Sequence, residues 1–294
     1  VIGGLEMVPD AAVAVLDEDG GLTLTGTDTA QPVFSVTKMF MAVAVLRLVD
    51  SGRLTLEDEV SLRVPLAPSG ITVRELLNHT GGLPDYATTA PYLDAVARRP
   101  DQPWGLERIL TVALEDGRSA RGRFRYSNLG YWLLGTLVED ISGAPLEQTL
   151  AALVFGQAGM RSTFFPASGT GLTGTGYDTR WAGPAGAAWA TPRDLVIFLT
   201  GLLDGSLLSA QSLTAMTTTV PVAAAGPPWR KPGYGLGLMI DDEYRIFGHG
   251  GGGPGYTSAA MITPDRRRSV AVIARSSANV DPTALTLRLL QVDT

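Results

Sequence analysis

The chain has 294 residues, 45% of them hydrophobic, and a formal net charge of −6. That length suits a globular protein of one or two domains. Its acidic balance, with no Lys/Arg run beyond Arg266-Arg267-Arg268, argues against a nucleic-acid surface. Cysteine is absent and only two histidines occur, so neither a disulfide framework nor a thiolate or histidine zinc site is expected. No run of about 18 apolar residues marks a membrane span. The start at Val1, without a methionine, is compatible with removal of a leader, and the compartment stays open between cytoplasm and exterior.

Ala11 to Leu16 and Leu22 to Gly26 read as strands around an Asp-Glu-Asp-Gly-Gly turn, a hairpin signal. From about Ser35 to Asp50 the apolar residues run nearly all round a helix, which predicts burial, and Ser51-Gly52 ends it. Helical patterns then alternate with loops: Thr72 to Asn78, Leu129 to Asp140, and Pro145 to Leu153. Thr191-Pro192-Arg193-Asp194 has a cap, a first-position proline and a first-turn acid, so a helix should run to about Leu203. Gly235 to Ile240, Arg245 to Phe247, Thr257 to Thr263 and Val270 to Arg275 read as an antiparallel meander. Asp-Asp, Gly-rich and Pro-Asp turns should separate these strands, with the arginine triplet at a hairpin tip. A last helix covers about Pro282 to Leu290.

Strands at both ends and helices between predict an α+β fold. One antiparallel sheet, flanked by helices, is completed by both termini, and a mainly helical domain is inserted. The expected division is 1–60 with 186–294 for the sheet domain and 61–185 for the helical domain, with the active site in the cleft between them. Ala167 to Ala188 and Thr217 to Gly233 are rich in Gly, Ala, Thr and Pro, and are expected as loops of the kind that often rim a binding site.

Ser35-Val36-Thr37-Lys38 carries the chemistry. Positions i and i+3 share a helix face, so the Lys38 amine should sit over the Ser35 hydroxyl and take or steer its proton. Lys38 and Lys231 are the only lysines, the other basic residues apart from the two histidines being arginine. Arginine cannot give up its proton at working pH, whereas a desolvated lysine can.

Two further motifs follow in order, Tyr126-Ser127-Asn128 and His249-Gly250-Gly251. Supporting phrases are Leu76-Leu77-Asn78-His79-Thr80-Gly81-Gly82-Leu83-Pro84, Tyr126-Ser127-Asn128-Leu129-Gly130-Tyr131, and Phe247-Gly248-His249-Gly250-Gly251-Gly252-Gly253-Pro254-Gly255-Tyr256. In this order the chain resembles the serine β-lactamase and penicillin-binding protein superfamily along nearly its whole length. The resemblance is to the class C-like branch, which holds esterases, D-aminopeptidases and D-Ala-D-Ala carboxypeptidases. It implies Ser35 as nucleophile and Lys38 as the group that holds or removes its proton. It also implies Tyr126 as a second acid/base, whose pKa a nearby ammonium would lower. Asn128 would bind the substrate's acyl amide or orient Lys38. His249 stands where true β-lactamases have the lysine of K-T-G. Gly251 and Gly252 would let substrate approach the strand, and the N–H groups of Ser35 and Gly252 would be the oxyanion donors.

The departures from K-T-G remove the groups that bind a β-lactam carboxylate in relatives. Carboxylic ester hydrolysis is therefore the expected activity, with no metal or organic cofactor and a small-molecule ester or amide as substrate. Acyl transfer, D-amino-acid amide or peptide cleavage, β-lactam hydrolysis and a non-catalytic penicillin-binding-like module stay as alternatives. Oligomeric state is left open.

Other leads fall away. Val1-Ile2-Gly3-Gly4 resembles an activated trypsin-like protease, but no G-D-S-G-G follows. Gly250 to Gly255 satisfies G-x-G-x-x-G, yet Pro254 interrupts it and a strand follows. His249 to Gly252 resembles a lipase oxyanion motif, but no G-x-S-x-G occurs. His79 is expected to end a helix and fix a turn. Trp104, Trp181, Trp189 and Trp229 are expected as core, rim or cleft residues.

Overall fold

The computed structural model describes residues 8–167, 171–223, 226, 228–265 and 267–291. Val1 to Gly4, Arg266 and parts of the two predicted loops lie outside the described residues. The chain opens with the hairpin β1 (Ala11–Leu16) and β2 (Leu22–Thr25), then β3 (Gln31–Pro32). A 3-10 turn over Phe34–Val36 leads into α1 (Thr37–Asp50). A helical stretch follows, with α2 (Val73–Leu77), α3 (Ala90–Arg98), α4 (Leu106–Leu114) and α5 (Asn128–Ser142). Next, α6 (Leu146–Leu150) passes through a π turn at Ala151–Phe155 into α7 (Gly156–Ala158). After β4 (Trp189–Ala190) come α8 (Pro192–Leu203) and α9 (Ala210–Thr217). The chain then forms β5 (Val220–Pro221), β6 (Pro232–Tyr234), β7 (Met239–Asp241), β8 (Ile246–Gly253), β9 (Tyr256–Thr263) and β10 (Arg268–Arg275). Helix α10 (Pro282–Leu289) closes it.

Eight strands make one antiparallel sheet in the order β2-β1-β10-β9-β8-β7-β6-β5, while β3 pairs with β4 apart from it. The N-terminal hairpin thus completes a sheet built mainly by the C-terminal half, as the pattern predicts. Side chains alternate between faces along a strand. Val13, Val15, Met261, Val270 and Val272 share one face with Leu285 and Leu287 of α10. Ala14, Ala260, Ile262, Ala271 and Ile273 turn the other way, into the main core with α8 and α1. Both faces are covered, so β1, β9 and β10 read as nearly continuous apolar runs.

Helix α1 runs through the middle of that core, buried along most of its length. Phe40 meets Phe155 and Phe198 edge to face, with ring centroids 5.3 and 4.9 Å away. Thr191 caps α8 by accepting from the Asp194 amide at 3.1 Å, the start its sequence announced.

The structure corrects the reading in three respects. Helices α3, α4 and α9 were not predicted. Helix α3 buries only Tyr92 fully, but Tyr92, Leu93 and Val96 stand at helical spacing on one side. The predicted strand Gly235 to Ile240 is broken, because Gly237 takes φ +74° and turns the chain between β6 and β7. The Gly-rich segment is strand, not turn: β8 continues to Gly253 and pairs with β9 through Gly253↔Tyr256. Ladder hydrogen bonds come from the backbone, so a run without side chains can still be a strand. Among the described residues no helix is long and apolar enough to cross a membrane.

Since Phe40 joins α1 to both the π turn and α8, Phe40→Ala should cost about 3–5 kcal/mol of unfolding free energy. Urea denaturation measures it, and a loss under about 1 kcal/mol would contradict a central place for this helix.

Candidate active site

The turn before α1 is held from two sides. Ser258 Oγ donates to the Val33 carbonyl at 2.8 Å. Phe34 takes φ +45°, an uncommon conformation for a residue with a β-carbon, which stores roughly 1–3 kcal/mol of strain. This bend puts Ser35 beside β8. The approach is backbone to backbone: a β-carbon on Gly251 would stand 2.2 Å from Val33 O and 3.0 Å from Ser35 N. One on Gly253 would lie 2.2 Å from the Phe34 ring. The glycines of β8 therefore serve the seating of the serine turn.

Lys38 is fully buried one turn into the helix. Its Nζ lies 3.0 Å from Ser35 Oγ, 2.7 Å from Asn128 Oδ1 and 2.8 Å from Ala185 O. The Tyr126 hydroxyl reaches Ser35 Oγ at 3.0 Å. The structure thus brings Ser35, Lys38, Tyr126 and Asn128 together. No carboxylate touches the amine among the described contacts. Burial pushes Lys38 down to about 7, against an opposing pull from Asp85.

The lysine sits on a layer of rings. Its Nζ is 4.9 Å from the centre of the Tyr126 ring and 5.3 Å from that of Tyr131 on α5. His79 packs against Tyr126 at 4.3 Å and Tyr234 at 4.7 Å between ring centres. The expected lowering of the Tyr126 pKa is overturned. Burial raises it well above a free phenol, the field of Asp85 adds to this, and the bond to Ser35 only partly opposes it. The same burial lowers Lys38 as well, so its ammonium does not offset the cost of a buried phenolate.

His249 lies in this layer and not on the cleft wall. It is 2% exposed, and Tyr234 donates its hydroxyl proton to Nε2 at 2.9 Å while Nδ1–H donates to Gly250 O. Burial, reinforced by the charge of Lys38, holds it down to about 3, so it offers no cation to a substrate. Its place in the site is behind the reacting groups, a revision of the expected substrate contact. Gly251 presses on the serine turn, and Gly252 lines the cleft. His79 follows α2 at φ +60° and accepts from the Ser127 amide at 3.2 Å, the turn-fixing part expected of it.

A cleft of about 230 Å³ opens at Ser35. Phe34, Tyr86, Tyr92, Leu93, Val96 and Tyr177 are the large apolar and aromatic side chains of its wall, and none of the described residues that line it is charged. Three of these come from α3, which the sequence reading missed. No tryptophan lines it; Trp181 stands behind Tyr92 with ring centroids 5.4 Å apart. Sequence reasoning also missed Asp85, which accepts from the Asn128 backbone N–H at 3.2 Å and from Nδ2 at 3.1 and 3.0 Å. The available signal was an acid directly after the quoted Leu83-Pro84, at the start of a short turn of helix. Tyr234 lies between two glycines and gave none.

A Ser–Lys–Tyr constellation at the start of a buried helix, beside an antiparallel sheet, defines a class of protein, and comparison bears this out. The chain belongs to the beta-lactamase family, whose family model matches residues 1–293. It is 25% identical over 283 residues to a D-aminopeptidase of Cereibacter sphaeroides, covering 89% of this chain and 53% of that protein. It is 32% identical over 147 residues to penicillin-binding protein 4* of Bacillus subtilis, covering 47% and 31%. The chain thus spans about half the length, or less, of these curated relatives. Among solved structures, a D-stereospecific amidohydrolase from Streptomyces sp. superposes with TM-score 0.79 at 28% identity, covering 91% of this chain and 89% of the other. The D-amino acid amidase of Ochrobactrum anthropi SV3 gives 0.79 at 26%, covering 92% and 89%. The fold is that of β-lactamases and penicillin-binding proteins.

Gly251→Ala should push the Ser35 turn off β8. Labelling of Ser35 by a fluorophosphonate should slow on the order of 10²-fold, the usual cost of displacing a reacting group by about 1 Å. Intact mass after timed labelling reads it, and a wild-type rate in a folded variant would contradict the contact.

Proposed function

We propose that this chain is a serine hydrolase that forms an acyl-enzyme on Ser35 and acts on uncharged carboxylic esters with an apolar or aromatic acyl group. The observation that supports it is the setting of the Lys38 amine. A neutral amine has two N–H donors and one lone pair. Asn128 Oδ1 and Ala185 O are both acceptors, at 2.7 and 2.8 Å, and they take the two hydrogens. The lone pair is left for Ser35.

Ser35 Oγ attacks the ester carbonyl as its proton passes to Lys38 Nζ. The oxyanion forms against the N–H groups of Ser35 and Gly252. Collapse breaks the C–O bond, and the alkoxide takes a proton from the Lys38–Tyr126 pair. Tyr126, raised and protonated, carries that proton rather than acting as the first base. Water then attacks the acyl-enzyme, giving up its proton to Lys38, and Ser35 leaves with a proton returned. Transfer to an alcohol or amine shares every step up to the acyl-enzyme and differs only in the acceptor.

Substrate class follows from the cleft wall. A β-lactam carries a carboxylate, and no cationic side chain among the described residues lines the cleft. One missing charge-assisted hydrogen bond costs roughly 1.5–3 kcal/mol, or about 10–150-fold in rate. A second reading, D-amino-acid amide cleavage, is favoured by the names of the two superposed structures. Such an amide carries an ammonium, and no acidic side chain among the described residues lines this cleft, so it ranks second.

The comparison to make is kcat/KM for a p-nitrophenyl ester of an apolar acid, for D-phenylalanine amide and for a chromogenic cephalosporin. The ester should lead by more than about tenfold; a leading cephalosporin or amide would overturn the substrate class. Ser35→Ala should abolish turnover with the fold intact. Lys38→Arg should be nearly as damaging as Lys38→Ala, because arginine keeps a proton it cannot give up. The neutral amine is the active form. The rate should therefore rise about tenfold per pH unit below the Lys38 pKa and level off above it. That midpoint lies near the lysine's value of about 7. A pH-independent rate between 5 and 9, roughly two units to either side, would rule out Lys38 as base.

A further inference from the structure

We propose that Asp85 is a positioning residue: its carboxylate fixes which way round the Asn128 amide sits, and through that amide the direction in which Lys38 offers its lone pair to Ser35. This rests on the acyl-transfer reading above.

Three donors converge on one carboxylate. Asp85 Oδ1 accepts from the backbone N–H of Ala87 at 3.3 Å and of Asn128 at 3.2 Å, and from Asn128 Nδ2 at 3.1 Å. Oδ2 accepts from Nδ2 again at 3.0 Å. An ionised carboxylate can only accept, whereas a side-chain amide has one accepting end and one donating end. Asn128 must therefore give its NH₂ to Asp85, and its oxygen is forced toward Lys38, 2.7 Å away. The reversed amide would set two oxygens against each other at Asp85. It would also aim an N–H at the Lys38 lone pair, the electrons that Ser35 needs.

Asp85 is half-buried and does not line the cleft at Ser35. Its effect reaches the reaction only through Asn128 and through its field. The groups facing Lys38 are few. Ser35 Oγ lies 3.0 Å from its amine, and the rings of Tyr126 and of Tyr131 on α5 lie 4.9 and 5.3 Å away. His79 after α2 and His249 of β8 feel its charge and are both held neutral. Asp85 is the anion whose field raises the lysine. Removing that charge without changing shape should leave the amine easier to deprotonate but less well aimed.

The test uses the intact chain and a p-nitrophenyl ester of an apolar acid. In Asp85→Asn, kcat should fall on the order of tenfold. KM should hold, and the acidic limb of the pH–rate profile should move to lower pH. In Asp85→Asn with Asn128→Asp the acceptor-only group is placed directly beside Lys38. That double variant should regain much of kcat, with its limb at higher pH than wild type. Melting curves accompany each variant. Wild-type kcat and an unmoved limb in Asp85→Asn would overturn the proposal. So would a rate loss that only follows the melting temperature while the limb stays put, since that is what loss of the Ala87 cap alone would do. If wild type shows neither turnover nor phosphonate labelling of Ser35, the acyl-transfer reading itself falls and takes this inference with it. If wild type turns over and only the Asp85 variants behave as wild type, the inference alone is wrong.

Discussion

A fully buried amine with no carboxylate in contact among the described residues is the constraint on which the rest of this site depends. Lys38 is fully buried, so its charged form loses hydration that three hydrogen-bond acceptors do not fully replace. The fold supports that environment from several directions. Helix α1 carries the lysine into the main core. The β8 glycines allow the serine turn to close over it, because no β-carbon stands between strand and backbone. Rings of Tyr126, Tyr131, Tyr234, His79 and His249 form the floor. Each of those five groups is held in its neutral form by the same burial. These rings therefore add no charge around the amine, and the field that raises the lysine comes from the half-buried Asp85.

Neutrality continues into the cleft, whose wall is made of tyrosines, a phenylalanine and aliphatic side chains. A site of this kind gains binding from apolar area and leaves orientation to a few polar atoms, here Ser35, Asn128 and the exposed backbone of Gly252. On the proposed reading, the substrate carbonyl meets fixed dipoles while its acyl chain finds no charged partner. The replacement of K-T-G by His249-Gly250-Gly251 then makes physical sense as a change from clamping an anion to shaping a wall. The imidazole contributes packing and a hydrogen bond with Tyr234, and the glycine steps let β8 lie against the Ser35 turn.

Much of this was legible in the residues. The Ser35–Lys38 spacing is local, and helix geometry alone converts it into contact. Tyr126 and Asn128 were found as a short motif, and the sheet's strands were marked by apolar runs that burial on both faces explains. Less legible was whatever depends on distant segments. The direction of the Tyr126 shift needed the number of rings around it, and the sequence offered only the nearby lysine. His249 was read from its place in a motif, whereas its burial involves Tyr234, fifteen residues earlier on β6, two strands away in the sheet. Helix α3 escaped although Tyr92, Leu93 and Val96 recur at helical spacing, and it supplies half of the named aromatic and aliphatic wall. Helix α4 is a similar case: Ile109, Leu110, Val112 and Ala113 form an apolar face that periodicity can detect.

The central claim is that burial holds the Lys38 amine ready to lose its proton near neutrality. The chain's composition makes this directly measurable, because Lys38 and Lys231 are its only lysines. Lysine labelled with ¹³C at the ε-carbon should give two signals, and Lys38→Arg assigns them by removing one. The account predicts that the Lys38 signal titrates with a midpoint near 7. A midpoint at the ordinary lysine value of about 10.4 would contradict it.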